Sequence, residues 1–280
     1  MTAAVPPRQW LRRMLWLAGL AVLTALLATV ATFNANNVEP NINFTMPRGV
    51  LLQVRDADKA GWLTLVIADN GKKWFVIPAD AVLSNGVTVQ TVESTARSLN
   101  LDQTSAALED VLKVEFDEVW QVDRLGLSAF VEAAGGVEVT PKTTVVLSPL
   151  SAPDLSVLGA VTVRLSGVYA ALYAVDPSIE KPIQRYRRFD EVWRELMAHL
   201  DAATLPDVLP AIGSASRSSM TQSRLVAFID QLQQIRSLAK PQVVVLPTIE
   251  AIYDGQPHRY LLSEARETLI AAGIRERITA

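Results

Sequence analysis

The sequence predicts an α/β domain, folded as a three-layer α/β/α sandwich around a mixed central sheet and preceded by one N-terminal transmembrane helix. Strand and helix patterns alternate along most of the chain after residue 48, as they do in α/β folds. A tight Asn-Gly turn between two of the strands predicts that at least one pair is antiparallel. A long apolar segment, 14–33, precedes the domain.

This apolar segment is long enough to cross a bilayer. As a helix at about 1.5 Å per residue, 14–33 spans about 30 Å, the thickness of the hydrocarbon core. Arg8, Arg12 and Arg13 precede it, and the next basic residue lies well beyond its end. The positive-inside rule therefore places residues 1–13 in the cytoplasm and the rest of the chain outside the cell membrane, as a single-pass protein.

Two other interpretations of the apolar segment stay open. A cleaved signal peptide has a similar basic start, although its apolar part is usually about 7–15 residues long. A buried core helix is the second, although a helix that is apolar on every side seldom follows an arginine cluster in a soluble core. With an uncleaved anchor, we expect a linker over 34–47, rich in Asn, and an extracytoplasmic domain over 48–280.

Composition excludes several classes of function. Half of the residues are hydrophobic and 20% are charged, which predicts a packed core. Three of the 26 basic residues and none of the 29 acidic ones precede residue 34, so the outer part has a formal charge of −6 and is a poor surface for nucleic acid. The absence of cysteine excludes disulfides, and His199 and His258 lie in no metal-ligand spacing.

The first half of the domain is predicted to begin with strands. Apolar and β-branched runs place them over 49–54, 62–68 and 73–77. Asp69-Asn70-Gly71 is the turn of a hairpin between the last two. Helical spacing of apolar residues then predicts a helix that ends near Lys113. The next predicted elements are a strand over 116–122, a helix over 125–134 stopped by Gly135-Gly136, and a strand over 137–139.

The second half alternates in the same way. Residues 141–158 are rich in Ser and Pro and predict a loop. Pro182 suits the first turn of a helix, whose apolar stripe is Tyr186, Phe189, Trp193, Leu196, Met197 and Leu200. On or near the opposite face lie Arg185, Arg188, Glu191 and Glu195. The other predicted elements are a strand over 161–163, a helix from Ser166 to about Val175, a helix over 223–238, a strand over 242–246, a hairpin around Asp254-Gly255 and a helix over 263–272.

Several segments, taken in order, resemble the LytR-CpsA-Psr (LCP) family. The most specific is Phe-Val-Glu-Ala-Ala-Gly-Gly-Val-Glu-Val at 130–139. Weaker likenesses lie at 107–112, 116–123, 165–172, 185–188 and 245–247. The resemblance implies an extracytoplasmic α/β/α domain of bacterial envelope assembly that binds a polyprenyl-phosphate lipid. It also implies that active members use Mg²⁺ to transfer lipid-linked glycopolymers onto peptidoglycan.

The chain departs from the family pattern where this chemistry would lie. Such a transfer needs carboxylates for the metal and arginines for the pyrophosphate. The metal-binding Asp of the family's second strand has no counterpart in Gly61-Trp62-Leu63-Thr64, and its Pro-Arg-Asp motif is Pro78-Ala79-Asp80 here. A further pair of family arginines would fall near 173–177, which contains none.

Arg185, Arg187 and Arg188 are the candidates for binding phosphate or pyrophosphate. The first and third match the family's Arg-x-x-Arg pattern, share a helical face and lie near a helix N-terminus, which favours an anion. The alternative is a solvated helix face on which they pair with Glu191 and Glu195.

The metal candidates are weaker. Asp56, Asp58 and Asp80 could hold a cation, but solvated charge or turn capping explains each of them equally well. We assign no catalytic residue, and Mg²⁺ is expected only if the protein is active.

Three functions are compatible with the sequence. The first is a degenerate LCP protein that binds a polyprenyl-phosphate lipid or an envelope partner, with transferase activity reduced or lost. The second is an active Mg²⁺-dependent phosphotransferase, which predicts that the three aspartates and the arginines converge on one pocket. The third is a membrane-anchored interaction module without a lipid ligand. An apolar tunnel lined by residues 125–135 and 186–200 would argue against the third.

Overall fold

The computed structural model describes residues 44–83, 90–98, 100–147, 156–176, 179, 181–253 and 255–277. The predicted transmembrane helix and most of the predicted linker therefore lie outside the described residues. Within the described ranges, no helix combines the length and the apolar character needed to cross a bilayer.

The strands of the described chain include the predicted ones and several short additions. They are β1 Gly49–Arg55, β2 Gly61–Ala68, β3 Lys73–Ile77, β4 Val114–Glu115, β5 Glu118–Asp123, β6 Val137–Val139, β7 Val145–Leu147, β8 Ser156–Leu158, β9 Val163–Leu165, β10 Ser216–Ser218, β11 Gln242–Val245, β12 Thr248–Tyr253, β13 Gln256–Leu261 and β14 Arg275–Glu276.

The helices follow the predicted order as well. They are α1 Val92–Ser98, α2 Leu101–Leu112, α3 Arg124–Ala133, α4 Gly167–Ala174, α5 Pro182–His199, α6 Leu205–Ile212, α7 Gln222–Leu238 and α8 Ser263–Ala271, with 3₁₀ turns at Ala202–Thr204 and Gly213–Ala215. Two of the predicted helix ends are confirmed by backbone geometry. Lys113 follows α2 in the left-handed region, and Gly135 and Gly136, which have positive φ, follow α3.

The central sheet has six strands in the order β10-β5-β1-β2-β3-β11. β1, β2 and β3 form an antiparallel meander, and the predicted turn at Asp69-Asn70-Gly71 joins its last two strands with positive φ at all three residues. β5 runs parallel to β1, and β11 runs parallel to β3, whereas β10 is antiparallel to β5. The sheet is therefore mixed, as the sequence predicted.

Helices cover both faces of this sheet. On one face, Val50, Leu52 and Val54 of β1 belong to the same buried cluster as side chains of α3, α4, α5 and α7. On the other face, Leu51 packs in a second cluster with side chains of α1, α2 and α8. Successive side chains of a strand point to opposite faces of the sheet, and helices cover both faces. Every residue of β1 and β2 is therefore buried.

Four differences from the predicted elements have local causes. β9 begins two residues later than predicted, because its register with β6 pairs Val137 with Leu165. Residues 141–158 include β7 and β8, whose mutual pairing leaves no strong sequence pattern in strands of three residues. α1, and the chain over 202–218, were not predicted, since short elements carry too few apolar residues to show a period.

Aromatic rings fill the layer between the sheet and helices α3, α5 and α7. Trp120 on β5 makes edge contacts with Phe130, Trp193 and Phe228, at centroid distances of 6.1, 5.7 and 6.4 Å. Phe189 stacks on Trp193 at 5.3 Å. Such ring pairs stabilise a core beyond the area that they bury, so this cluster is a main determinant of how the three helices dock.

Helices α3 and α4 approach each other closely at Gly167. A Cβ atom at this position would lie well inside van der Waals contact with the carbonyl oxygen of Ser128. Glu132 Oε1 accepts a hydrogen bond of 2.7 Å from the Gly167 amide. Ser166 occupies the predicted N-cap position, but its hydroxyl makes no capping hydrogen bond, so the carboxylate of α3 caps α4 instead.

Replacing a buried and an exposed leucine of α3 by alanine should separate the contribution of core packing to stability from that of helix propensity. We expect Leu127→Ala, at a side chain that is 1% exposed, to lower the free energy of unfolding by about 2–5 kcal/mol. Leu125→Ala, on the same helix but 70% exposed, should change it by less than about 0.5 kcal/mol. Chemical denaturation of both variants checks this, and equal effects would contradict the assigned orientation of α3.

The close approach at Gly167 gives a second test. We expect Gly167→Ala to destabilise the protein by about 1–3 kcal/mol, because the added methyl group must push α4 away from the Ser128 carbonyl. Gly159→Ala is the matched control, since a Cβ there meets no atom within 4 Å. Thermal unfolding that ranks the two variants equally would show that α3 and α4 do not pack in this way.

Candidate functional site

Helix α5 carries the three arginines that the sequence singled out. Pro182 lies in its first turn, and the predicted stripe from Tyr186 to Leu200 is buried against the sheet. Arg187 is exposed. Arg185 and Arg188 are not on a solvated face, because their side chains are only 13% and 16% exposed. In place of the alternative pairing with Glu191 and Glu195, Arg185 and Arg188 contact other segments of the chain.

The guanidinium of Arg185 is bound by backbone carbonyls. Its Nε donates to the carbonyl oxygen of Ile179 at 2.6 Å, and its Nη1 donates to that of Trp62 at 2.8 Å. The carboxylate of Glu93 on α1 lies 3.8 Å from Nη1, and the guanidinium lies over the Trp62 ring at 5.7 Å. Arg185, near the start of α5, thus connects this helix to the start of β2 and to α1.

Arg188 makes weaker contacts than Arg185 does. Its guanidinium lies over the Tyr173 ring, 4.4 Å from the centroid, and its Nη1 is 3.8 Å from the Asp176 carboxylate. That distance is too long for a hydrogen bond, and Nη1 is buried without a hydrogen-bond partner. An arginine in this state keeps donor capacity for a bound anion.

The Tyr173 ring packs against the guanidinium of Arg188, and Glu191 is hydrogen-bonded to the Tyr173 hydroxyl. The Tyr173 hydroxyl donates to Glu191 Oε2 at 2.7 Å, and Glu191 Oε1 accepts from the amide of Thr140 at 2.8 Å. Burial, followed by the hydrogen bond to Glu191, raises the pKa of Tyr173 well above its ordinary value. The phenol therefore stays protonated and positions Glu191, whose carboxylate is used for structure.

Asp56 and Asp58 lie in the turn between β1 and β2. Asp56 Oδ1 accepts from the amides of Asp58 and Ala60, both at 2.9 Å, as in an Asx turn. Asp58 is exposed. Among the hydrogen bonds and ion pairs of the described residues, Asp56 and Asp58 make none with Asp80, Arg185 or Arg188.

Asp80 lies elsewhere and has an arginine of its own. Its carboxylate is 2.9 Å from Nη1 of Arg259 on β13. Both residues line an open cleft with Thr91, Glu250 and His258. The sequence did not predict this partner, because Arg259 is separated from Asp80 by 179 residues and lies in a hairpin without a motif. The negative charge of Asp80 in the Pro78-Ala79-Asp80 loop is thus paired with an arginine from a strand that is distant in sequence.

The described residues do not fit a Mg²⁺ site. Within these residues, no three His, Cys, Asp or Glu side chains converge closely enough to hold a metal ion. Mg²⁺ requires several oxygen ligands at short distance, and the candidate aspartates are divided between a turn and an ion pair. We therefore derive no step through a metal.

The partners of Arg185 were the functional residues that sequence reasoning missed. Trp62 also donates its indole Nε1 to the Asp176 carbonyl oxygen at 2.9 Å, so one tryptophan connects the surroundings of Arg185 to those of Arg188. These contacts join residues more than 110 positions apart in the chain. The available signal was Trp62 itself, a large ring at the start of the strand on which the family pattern has its metal-binding Asp.

Comparison with known proteins supports the fold and nothing finer. Neither a family model nor a curated protein sequence matches the chain. Among solved structures, B. subtilis TagV has a TM-score of 0.62 at 15% identity, covering 81% of this chain and 96% of that one. TagT bound to LI-WTA has a TM-score of 0.62 at 17% identity, with coverages of 84% and 94%. The LytR-Csp2A-Psr enzyme from Actinomyces oris has a TM-score of 0.60 at 16% identity, with coverages of 85% and 96%.

The matches cover nearly all of each solved domain, so the agreement extends to the order and packing of the elements. At this identity it carries no information on which side chains bind or react. The resemblance that the sequence suggested is thereby confirmed at the level of structure: this chain has the fold of the LytR-CpsA-Psr proteins.

Proposed function

We propose that this protein is an LCP-fold member of the bacterial envelope-assembly machinery that binds without transferring, a pseudoenzyme. The observation that carries the proposal is the set of internal partners of Arg185. This arginine matches a family phosphate-binding position by sequence, yet its Nε and Nη1 already donate to the carbonyls of Ile179 and Trp62. A guanidinium that stabilises the fold in this way is not free to neutralise charge on a reacting pyrophosphate.

Retained binding is supported by Arg188. Its buried, unpaired Nη1 and its position over an aromatic ring leave one cation that can contact a phosphate group. We propose that a polyprenyl-phosphate lipid is the ligand. The solved relative TagT bound to LI-WTA gives a precedent for ligand binding on this fold.

A second candidate is the anchored interaction module, which binds an envelope protein and no lipid. The ring cluster favours it, because Phe130 on α3 and Trp193 on α5 occupy space between the helices that a tunnel over 125–135 and 186–200 would need. Both candidates share the proposed topology. In it, 14–33 anchors the protein in the cell membrane, 1–13 is cytoplasmic and the domain is extracytoplasmic.

A structural role for Arg185 predicts a stability effect. We expect Arg185→Gln to lower the free energy of unfolding by about 1–3 kcal/mol, since two carbonyl oxygens lose their donor. Arg187→Gln, on the same helix turn but exposed, should change it by less than about 0.5 kcal/mol. If Arg185→Gln unfolds like the wild type in urea, the carbonyl contacts do not stabilise the fold and this argument for lost transfer is refuted.

Lipid binding is tested by native mass spectrometry of protein extracted in detergent. We expect a co-purifying polyprenyl phosphate in the wild type and in Arg187→Gln, and its loss or strong depletion in Arg188→Gln, which removes the unpaired donor. Complete absence of lipid from well-folded wild type would leave the interaction module as the function. Transfer of a lipid-pyrophosphate substrate with Mg²⁺ at the rate of an active LCP enzyme would refute the pseudoenzyme proposal altogether.

A further inference from the structure

The face of the sheet that α1 and α2 cover changes character along β1 and β5. Leu51 and Val119 form an apolar pair in the parallel register. Two residues further on, Gln53 pairs with Gln121, and beyond them Arg55 pairs with Asp123. The sheet therefore ends in a polar patch at the carboxyl ends of two parallel strands, the edge at which α/β proteins commonly bind ligands.

The glutamine pair is internally satisfied. Gln121 Nε2 donates to Gln53 Oε1 at 2.7 Å, and both residues are buried, with exposures of 2% and 1%. This bond accounts for two polar side chains on an otherwise apolar face. Within the patch, the unsatisfied polar group belongs to Arg55.

Arg55 is buried without adequate partners. The side chain is 7% exposed, and its Nε is buried with no hydrogen-bond partner. The nearest carboxylate oxygen, Asp123 Oδ2, is 3.8 Å from Nη2, beyond hydrogen-bond distance. Asp123 is itself engaged, because its Oδ1 accepts from the amides of Leu125 and Gly126 at the start of α3, both at 3.0 Å. A buried guanidinium in this state is destabilising unless something else binds it.

A second arginine adds to the positive charge at this edge. Arg217 on the edge strand β10 lies opposite Gln121, so it faces the same side of the sheet as Arg55. It is exposed and makes no hydrogen bond or ion pair with another of the described residues. Burial lowers the pKa of Arg55, Asp123 opposes that shift, and the charge of Arg217 adds to it. Arg217 thus adds positive charge near a buried guanidinium whose carboxylate partner, Asp123, already caps a helix.

We propose that Arg55 and Arg217 bind a phosphate group at the carboxyl end of β1 and β5. A tetrahedral oxyanion presents several oxygens, which suits the unpaired Nε and the terminal nitrogens of a buried guanidinium together with a second guanidinium that is exposed. Neither arginine matches a position of the LCP motifs discussed above. Arg55 lies on the face of the sheet that α1 and α2 cover, whereas α5 with Arg188 packs on the other face, so this proposal is tested independently of the lipid binding proposed above.

The test is the thermal unfolding of the full chain in detergent, with inorganic phosphate or acetate at equal ionic strength. We expect phosphate, and not acetate, to raise the Tm of the wild type by several degrees, as a ligand that binds only the folded state does. Arg217→Gln should lose most of this shift, since it removes an exposed donor without disturbing the core. Arg97→Gln, at an exposed arginine on α1, should keep all of it.

Arg55→Met distinguishes a binding site from a structural ion pair. In buffer without phosphate, the variant should melt at or above the wild-type temperature, because a buried charge without adequate partners is removed, and it should no longer respond to phosphate. A variant that melts well below the wild type, together with a wild type that does not respond to phosphate, would make Arg55 a structural partner of Asp123 and overturn the proposal.

A polyprenyl monophosphate in detergent micelles identifies the source of the phosphate. A shift with the lipid alone, lost in Arg217→Gln, assigns the site to a lipid headgroup, whereas a shift with inorganic phosphate alone assigns it to a soluble phosphate. Both results support the site. A shift that survives in Arg217→Gln but disappears in Arg188→Gln would place the phosphate on α5 and overturn this proposal while supporting the previous one. No shift with either probe also overturns it.

Discussion

The burial of the central sheet on both faces is the constraint on which the rest of the structure depends. All residues of β1 and β2 are buried, so each polar side chain that the sheet carries must find a partner within it or at its edge. Gln53 and Gln121 meet this requirement by pairing with each other. Arg55 does not meet it, and that failure distinguishes the carboxyl edge of the parallel strands from the rest of the sheet.

The same constraint explains the role of Arg185. Where a strand start and a helix start meet at the end of a buried sheet, free carbonyls require donors, and a long guanidinium can reach two of them at once. The Trp62 ring covers the group from one side. A residue pattern associated with phosphate binding in one set of proteins can therefore be retained in another for its hydrogen-bonding geometry alone.

The sequence was sufficient for the architecture and insufficient for the site, for a physical reason. β1, β2, β3 and α5 were predictable because local periodicity and turn chemistry determine them, as the stripe from Tyr186 to Leu200 shows. The partners of Arg185 and Asp80 were not, since each comes from a distant segment that only the tertiary fold brings close. The alternative of a solvated face does not hold for Arg185 and Arg188, because helical periodicity identifies the most buried stripe of a helix but not the segments that cover the margins of that stripe.

The position of β11 has a consequence for how the polypeptide is made. β1, β2 and β3 are consecutive in the chain and can pair as soon as they emerge, but the outer edge of β3 is completed only by Gln242–Val245. Until then, a nascent molecule exposes the unpaired backbone of Lys73–Ile77, a strand with two aromatic and two β-branched residues. Such an edge readily recruits strands from other molecules. The edge of β3 is therefore open to association with other molecules during the interval between synthesis of the third strand and synthesis of the eleventh.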